Sequence, residues 1–139
     1  GLAGLNALLW AIQALLAVQY LFHGRLFISP PAGMAQAIGA MGLHPAFRQF
    51  IGLAEIAAAI GLVLPGLARV LPGSTPLALL GLTIVMAGAT IFHAARGEVP
   101  SAISTANLLL LVGLAAYLRW RVAPLRSRAE RQPEPPSSR

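Results

Sequence analysis

The chain has 139 residues, 57% of them hydrophobic and 10% charged, which excludes an ordinary soluble domain, where about 25% are charged. It has no cysteine, so disulfide frameworks, thiolate nucleophiles, dithiol redox shuttles and thiolate metal sites are excluded together. The net charge of +6 is carried by arginine alone; such an excess suits nucleic acid or an anionic membrane surface, and the hydropathy decides for the membrane and against nucleic acid.

Leu2 to Phe22 is an apolar run of the length that crosses a ~30 Å hydrocarbon core as a helix. It is longer than a signal-peptide core and no cleavage-like site follows it, so it reads as a retained first span, ending at His23, Gly24 and Arg25. Ser29-Pro30-Pro31 then signals a turn and a helix start. Met34, Ile38 and Met41 form a narrow apolar stripe behind it, which predicts a short helix lying along the membrane surface.

The second span runs from Phe47 to Leu64 and is expected to close at Pro65 and Gly66. It carries a small-residue stripe, Ala54, Ala57, Ala58 and Gly61, suited to close helix approach, and one carboxylate, Glu55. Two Leu-Pro-Gly turns flank Arg69. Ser74 or Thr75 is expected to cap a third span, Leu77 to Ala95, with Pro76 in its first turn and Thr83, Thr90 and His93 as polar positions. After Pro100 comes a fourth span, Ala102 to Leu118, with Ser104, Thr105 and Asn107 near its start.

The expected fold is therefore all-α, a four-helix transmembrane bundle over 1–120 with a short interfacial helix between spans one and two. Residues 121–139 read as a basic, Pro-rich tail that is disordered or surface-bound. Four spans put both termini on one side. The tail and the second loop hold Arg69, Arg119, Arg121, Arg126, Arg128, Arg131 and Arg139, against Arg25, Arg48 and Arg96 in the other loops. The arginine excess makes the termini cytoplasmic in a multi-pass protein of the inner (plasma) membrane.

A carboxylate within a span costs at least ~2.5 kcal/mol when charged and needs a partner, so Glu55 is a functional-site candidate by default. The topology places Gln19, His23, Thr90 and His93 toward the outer ends of their spans, and Arg48, Glu55, Ser104 and Asn107 in the outer halves of theirs. The partners considered for Glu55 are Arg25, Arg48, His93, Arg96 and Asn107. Arg48 shares its helix face but lies ~10 Å away along the axis. Glu55 and His93 are the candidate proton-transfer residues, and Arg25, Arg48, Arg96, Asn107, His23 and Gln19 are the candidate ligand-binding residues; no metal site is expected. The plainer readings are a buried ion pair that sets helix register, interfacial histidines, and interhelical hydrogen bonds from Asn107 and Gln19. An internal echo, Phe22-His23-Gly24-Arg25 against Phe92-His93-Ala94-Ala95-Arg96, sets the two histidines at matched depth. Trp120 reads as an interface anchor, and Trp10 and Trp120 make no nucleic-acid stacking platform.

Arg48-x3-Gly52-x2-Glu55, the run Ile60-Gly61-Leu62-Val63-Leu64-Pro65-Gly66, then Pro72, Thr75-Pro76-Leu77, Phe92-His93-x2-Arg96-Gly97-Glu98 and Asn107 together resemble the DoxX-like family of small four-span membrane proteins. The resemblance covers about Leu8 to Trp120, with Gly24-Arg25 where the family pattern suggests lysine after the glycine. It implies a four-helix bundle and, for the name-giving members, a subunit role in quinone-linked oxidoreductases; other relatives are associated with redox-stress complexes or membrane-protein assembly. Three functions stay open. One is a quinone- or small-lipophile-binding subunit linked to an oxidoreductase, using an outer-half polar pocket around Glu55 and a borrowed quinone. The second is a non-catalytic assembly subunit that packs against a larger membrane or redox partner or a second copy. The third is a membrane-embedded acid/base enzyme acting on a lipophilic small molecule.

Overall fold

All the apolar runs are helices, and most of them are longer than their sequence boundaries suggest. The computed structural model describes residues 1–127. It contains α1 (Leu2–Ile28), α2 (Ala32–Gly39), α3 (Pro45–Ala68), α4 (Ser74–Ala95) and α5 (Val99–Arg121). Four of these, with 27, 24, 22 and 23 residues, are long and apolar enough to cross a membrane; α2, between the first two, has 8.

The helix ends differ from expectation for identifiable reasons. α1 continues through His23, Gly24 and Arg25 to Ile28. Glycine costs a helix only about 1 kcal/mol, less than leaving backbone groups unpaired at a membrane-facing end. Likewise α3 does not stop at Pro65, which sits inside the helix. The missing proline N–H leaves the Gly61 carbonyl without its intrahelical donor. Thr75, from α4, supplies one, its hydroxyl donating to Gly61 O at 2.8 Å. A neighbouring hydroxyl is what makes proline tolerable in a spanning helix. The same bond corrects the expected cap of α4. Gly73 is the N-cap, Ser74 and Thr75 lie inside the helix, and neither caps it. α5 begins at Val99, with Pro100 in its first turn, and runs on to Arg121.

α1 packs on α3, α3 on α4 and α4 on α5, while α5 returns to α1 only narrowly. The core joins Leu9, Leu16, Ala17 and Tyr20 of α1 to Ala59 and Leu62 of α3, Leu79, Leu82 and Met86 of α4, and Val112 and Ala115 of α5. The buried residues of α5 lie in its half nearer the chain termini, and those of α4 reach no further than Met86, just past its middle. The α4 and α5 side of the bundle is therefore less buried toward the opposite, distal end, whereas α1 and α3 stay closely packed there through Gly24, Phe27, Gly52 and Glu55. Leu15, Val18, Leu77, Ile84, Leu110 and Leu114 are exposed on outer faces, the surface offered to lipid. Of the expected tail, Arg121 closes α5, and Leu125 lies near Gly66 of α3. Arg128 to Arg139, including the rest of the expected disordered tail, lie outside the described residues.

The candidate functional site at the crossing of α1 and α3

Two glycines set the closest contact between α1 and α3. A Cβ added at Gly52 would stand 2.6 Å from the carbonyl oxygen of Gly24, and one added at Gly24 would stand 2.6 Å from the carbonyl oxygen of Gly52. Only glycine on both helices lets the backbones meet this closely. The neighbours of that contact, His23 on α1 and Glu55 one turn beyond Gly52 on α3, are brought together by it. His23 Nδ1 and Glu55 Oε2 are 2.6 Å apart, a short hydrogen bond. The Glu55 side chain is 1% exposed and that of His23 45% exposed. A buried acid is thus joined to the protein surface through one imidazole.

His23 supplies the partner that Glu55 needs, and the surrounding side chains explain why the arginines do not. Arg48 Nε donates to Phe27 O at 2.9 Å, in the last turn of α1, where a cation favourably meets unpaired carbonyls. That occupies Arg48 in holding the helix end. Phe27 also stacks obliquely on His23, with ring centroids 4.3 Å apart, which restrains the imidazole. One turn before His23, the hydroxyl of buried Tyr20 has no hydrogen-bond partner among the described residues. A buried hydroxyl left unpaired costs roughly 1–3 kcal/mol, so this donor is poised for an acceptor. Tyr20 was missed in the sequence; its i, i+3 spacing to His23 is the signal that points to it.

The rest of the predicted set divides between a second cluster and the bundle surface. His93 Nδ1 pairs with Glu98 Oε2 at 2.6 Å, and Arg96 Nε donates to Glu98 Oε1 at 2.6 Å. Arg96 also reaches Met41 O and Ala40 O, just past α2, and lies 5.2 Å from the centre of the Phe92 ring. This cluster ties the α4–α5 loop to the interfacial helix. No hydrogen bond or ion pair among the described residues connects Glu55 with His93, Arg25, Arg48, Arg96 or Asn107. Arg25, Gln19 and Asn107 are exposed. The sequence echo acquires a structural counterpart, since each Phe-His step places its histidine against a glutamate, once across two helices and once across a loop.

The hydrogen bonds from Arg96 and then His93 hold the Glu98 carboxyl below its ordinary value. A lowered carboxyl pKa contributes stability that is complete above the ordinary carboxylate range and disappears as pH falls through the lowered value. Thermal unfolding in detergent should show wild type more stable than Glu98→Gln near neutrality. The gap should close in acid, and a gap independent of pH would show that the loop is held some other way.

A further polar group that sequence reading missed lies at the end holding the termini. Arg119, 1% exposed, donates through Nε to Gln13 Oε1 and through Nη1 to Asn6 Oδ1 and Ala123 O. Gln13 in turn donates to Leu62 O. Asn6 and Gln13 lie seven residues apart on one face of α1, which was the available signal.

With Glu55 on a Gly-x2-Glu turn facing the first helix, and a His-x2-Arg-Gly-Glu cluster after the third span, the family can be tested directly. The DoxX-like family model matches residues 11–116. The chain belongs to the DoxX-like family. No curated protein and no solved structure matches it. In this DoxX-like protein the matched region contains Tyr20, His23, Glu55, His93 and Glu98, whereas Asn6 and Arg119 fall outside it.

Proposed function

We propose that this DoxX-like protein is a membrane subunit that binds a quinone-class lipophile at the crossing of α1 and α3 and exchanges protons with it for an oxidoreductase partner. The observation that carries this reading is the half-exposed His23 bonded to the buried Glu55, with the unpaired Tyr20 hydroxyl one turn away. Tyr20 is placed to donate a hydrogen bond to a ligand carbonyl. Glu55 holds a proton at Oε2, and His23 links that proton to the aqueous side. A quinone supplies a two-electron, two-proton couple when bound; the electrons come from the partner, since a cysteine-free chain has no thiol couple of its own. The looser distal halves of α4 and α5 offer a lateral way in from the bilayer. With the termini cytoplasmic, as the arginine distribution favours, the proton path opens on the outer face of the inner membrane.

Solvent extraction and mass spectrometry of protein purified from membranes tests the reading. Bound quinone is expected in wild type and Tyr20→Phe, reduced in the latter, and lost in Glu55→Gln. Equal quinone content in all three would overturn it.

A second reading has its own support. Ala54, Ala57, Ala58, Gly61, Ala78 and Gly81 line a shallow groove between α3 and α4. Such a surface lets another spanning helix approach closely, as an assembly subunit requires. Co-purification of a partner at fixed stoichiometry, unaffected by Glu55→Gln, would select it.

A further inference from the structure

Arg119 is a buried cation with no anion beside it among the described residues. Its Nε and Nη1 bonds all go to neutral acceptors, and Nη2, also buried, has no partner among the described residues. The Trp10 ring, with its centre 5.6 Å from the guanidinium carbon, adds a cation–π contact but no counter-charge. Among the described residues the carboxylates are Glu55 and Glu98, and both are engaged with histidines at the distal end. The end holding the termini therefore gathers Arg69, Arg119, Arg121 and Arg126 with no acid among the described residues to answer them.

Arg119 lines one recess, and a second adjoins it across Pro124 and Leu125. The smaller, about 320 Å³, is walled by Pro72, Gly73 and Pro76 at the start of α4, by Leu77 and Leu80 along it, and by Arg119 itself. The larger, about 730 Å³, is lined by Asn6, Trp10, Arg69, Ala123 and Arg126 among others. Pro124 and Leu125 border both, and the Asn6 and Ala123 that bind Arg119 belong to the larger. A guanidinium fork with a free arm, the positive end of a helix and two further arginines make a site for an oxyanion. The apolar wall of Leu77 and Leu80 continues from it along the surface offered to lipid.

We propose that this end of the bundle binds a phosphate group, either a phospholipid headgroup or free phosphate, with Arg119 as the buried anchor and Arg69 and Arg126 at the rim. The site is separate from the His23 and Glu55 pair and does not depend on the reading given above. Binding brings Arg119 Nη2, closed off in the free protein, onto a phosphate oxygen, and in the lipid case the acyl chains lie along α4.

Full-length protein in neutral detergent is titrated with short-chain phosphatidylglycerol, with inorganic phosphate and with short-chain diacylglycerol, which lacks phosphate. Tryptophan fluorescence and native mass spectrometry are the readouts. Phosphatidylglycerol should bind, diacylglycerol should not, and Arg126→Gln, a rim change remote from the core, should weaken binding about tenfold. Arg119→Lys, which keeps the charge but removes the fork, should weaken it at least as much. Binding of inorganic phosphate with the same arginine dependence, uncompeted by phosphatidylglycerol, assigns the site to free phosphate. The proposal is overturned if diacylglycerol binds equally, or if Arg126→Gln leaves binding unchanged. It is also overturned if binding appears only after Glu130→Gln and Glu134→Gln, since the chain's own acids would then be the anions.

Discussion

Gly52→Ala is expected to force α1 away from α3 and to break the bond between His23 and Glu55. The new Cβ would stand 2.6 Å from the Gly24 carbonyl oxygen, 3.0 Å from Ile28 Cγ1 and 3.1 Å from Phe27 Cβ. A side-chain tip can rotate out of such a contact, but a helix carbonyl cannot, so the helices must separate. Overpacking of this kind costs about 1–3 kcal/mol. The functional loss should exceed that figure, because a separation of a few tenths of an ångström is enough to weaken a short hydrogen bond. Gly88→Ala on α4 is the matched control. Nothing lies within 4 Å of the Cβ it would add, so the better helix former should leave stability equal or slightly higher. Equilibrium unfolding in mixed micelles separates the two variants; equal behaviour would mean the crossing is not close-packed.

His23→Leu should be the most damaging change at the site itself. It strands Glu55, 1% exposed, without its hydrogen-bond partner. Removing one member of a buried pair costs about 3–5 kcal/mol, and because His23 is half-exposed to solvent the expected loss here is nearer 2 kcal/mol. The double change His23→Leu with Glu55→Leu should recover most of that stability, since no uncompensated acid remains. A double variant as unstable as the single one would mean that shape, not charge, is what His23 provides. Full recovery of stability without recovery of ligand binding would separate the structural part of the pair from its chemical part.

The spans were legible because a run of about 20 apolar residues has one stable solution in a bilayer, and the interfacial helix because Pro30-Pro31 and the Met34 stripe announce it. Their ends were not. Pro65 looks like a terminator until Thr75, ten positions on, is seen to supply the missing donor to Gly61 O. Glu55 was legible as an acid in need of a partner, but the partner depended on the Gly24–Gly52 approach, a backbone distance that sequence spacing does not encode. Opposite charge favoured the arginines. Arg48 is instead taken by the end of α1, Arg96 by Glu98 and the carbonyls after α2, and His93 by Glu98. Arg119 read as one of several topogenic arginines, because nothing in an Arg-Trp-Arg run distinguishes the residue that turns inward.

The most direct measurement of the central claim is infrared difference spectroscopy of the protein in lipid, recorded between the oxidised and reduced forms of an added quinone. Proton exchange at Glu55 predicts a carboxyl band that changes with the redox state of the quinone, shifts in heavy water, is perturbed by His23→Gln and is missing in Glu55→Gln. Difference spectra that are the same in wild type and Glu55→Gln would contradict it.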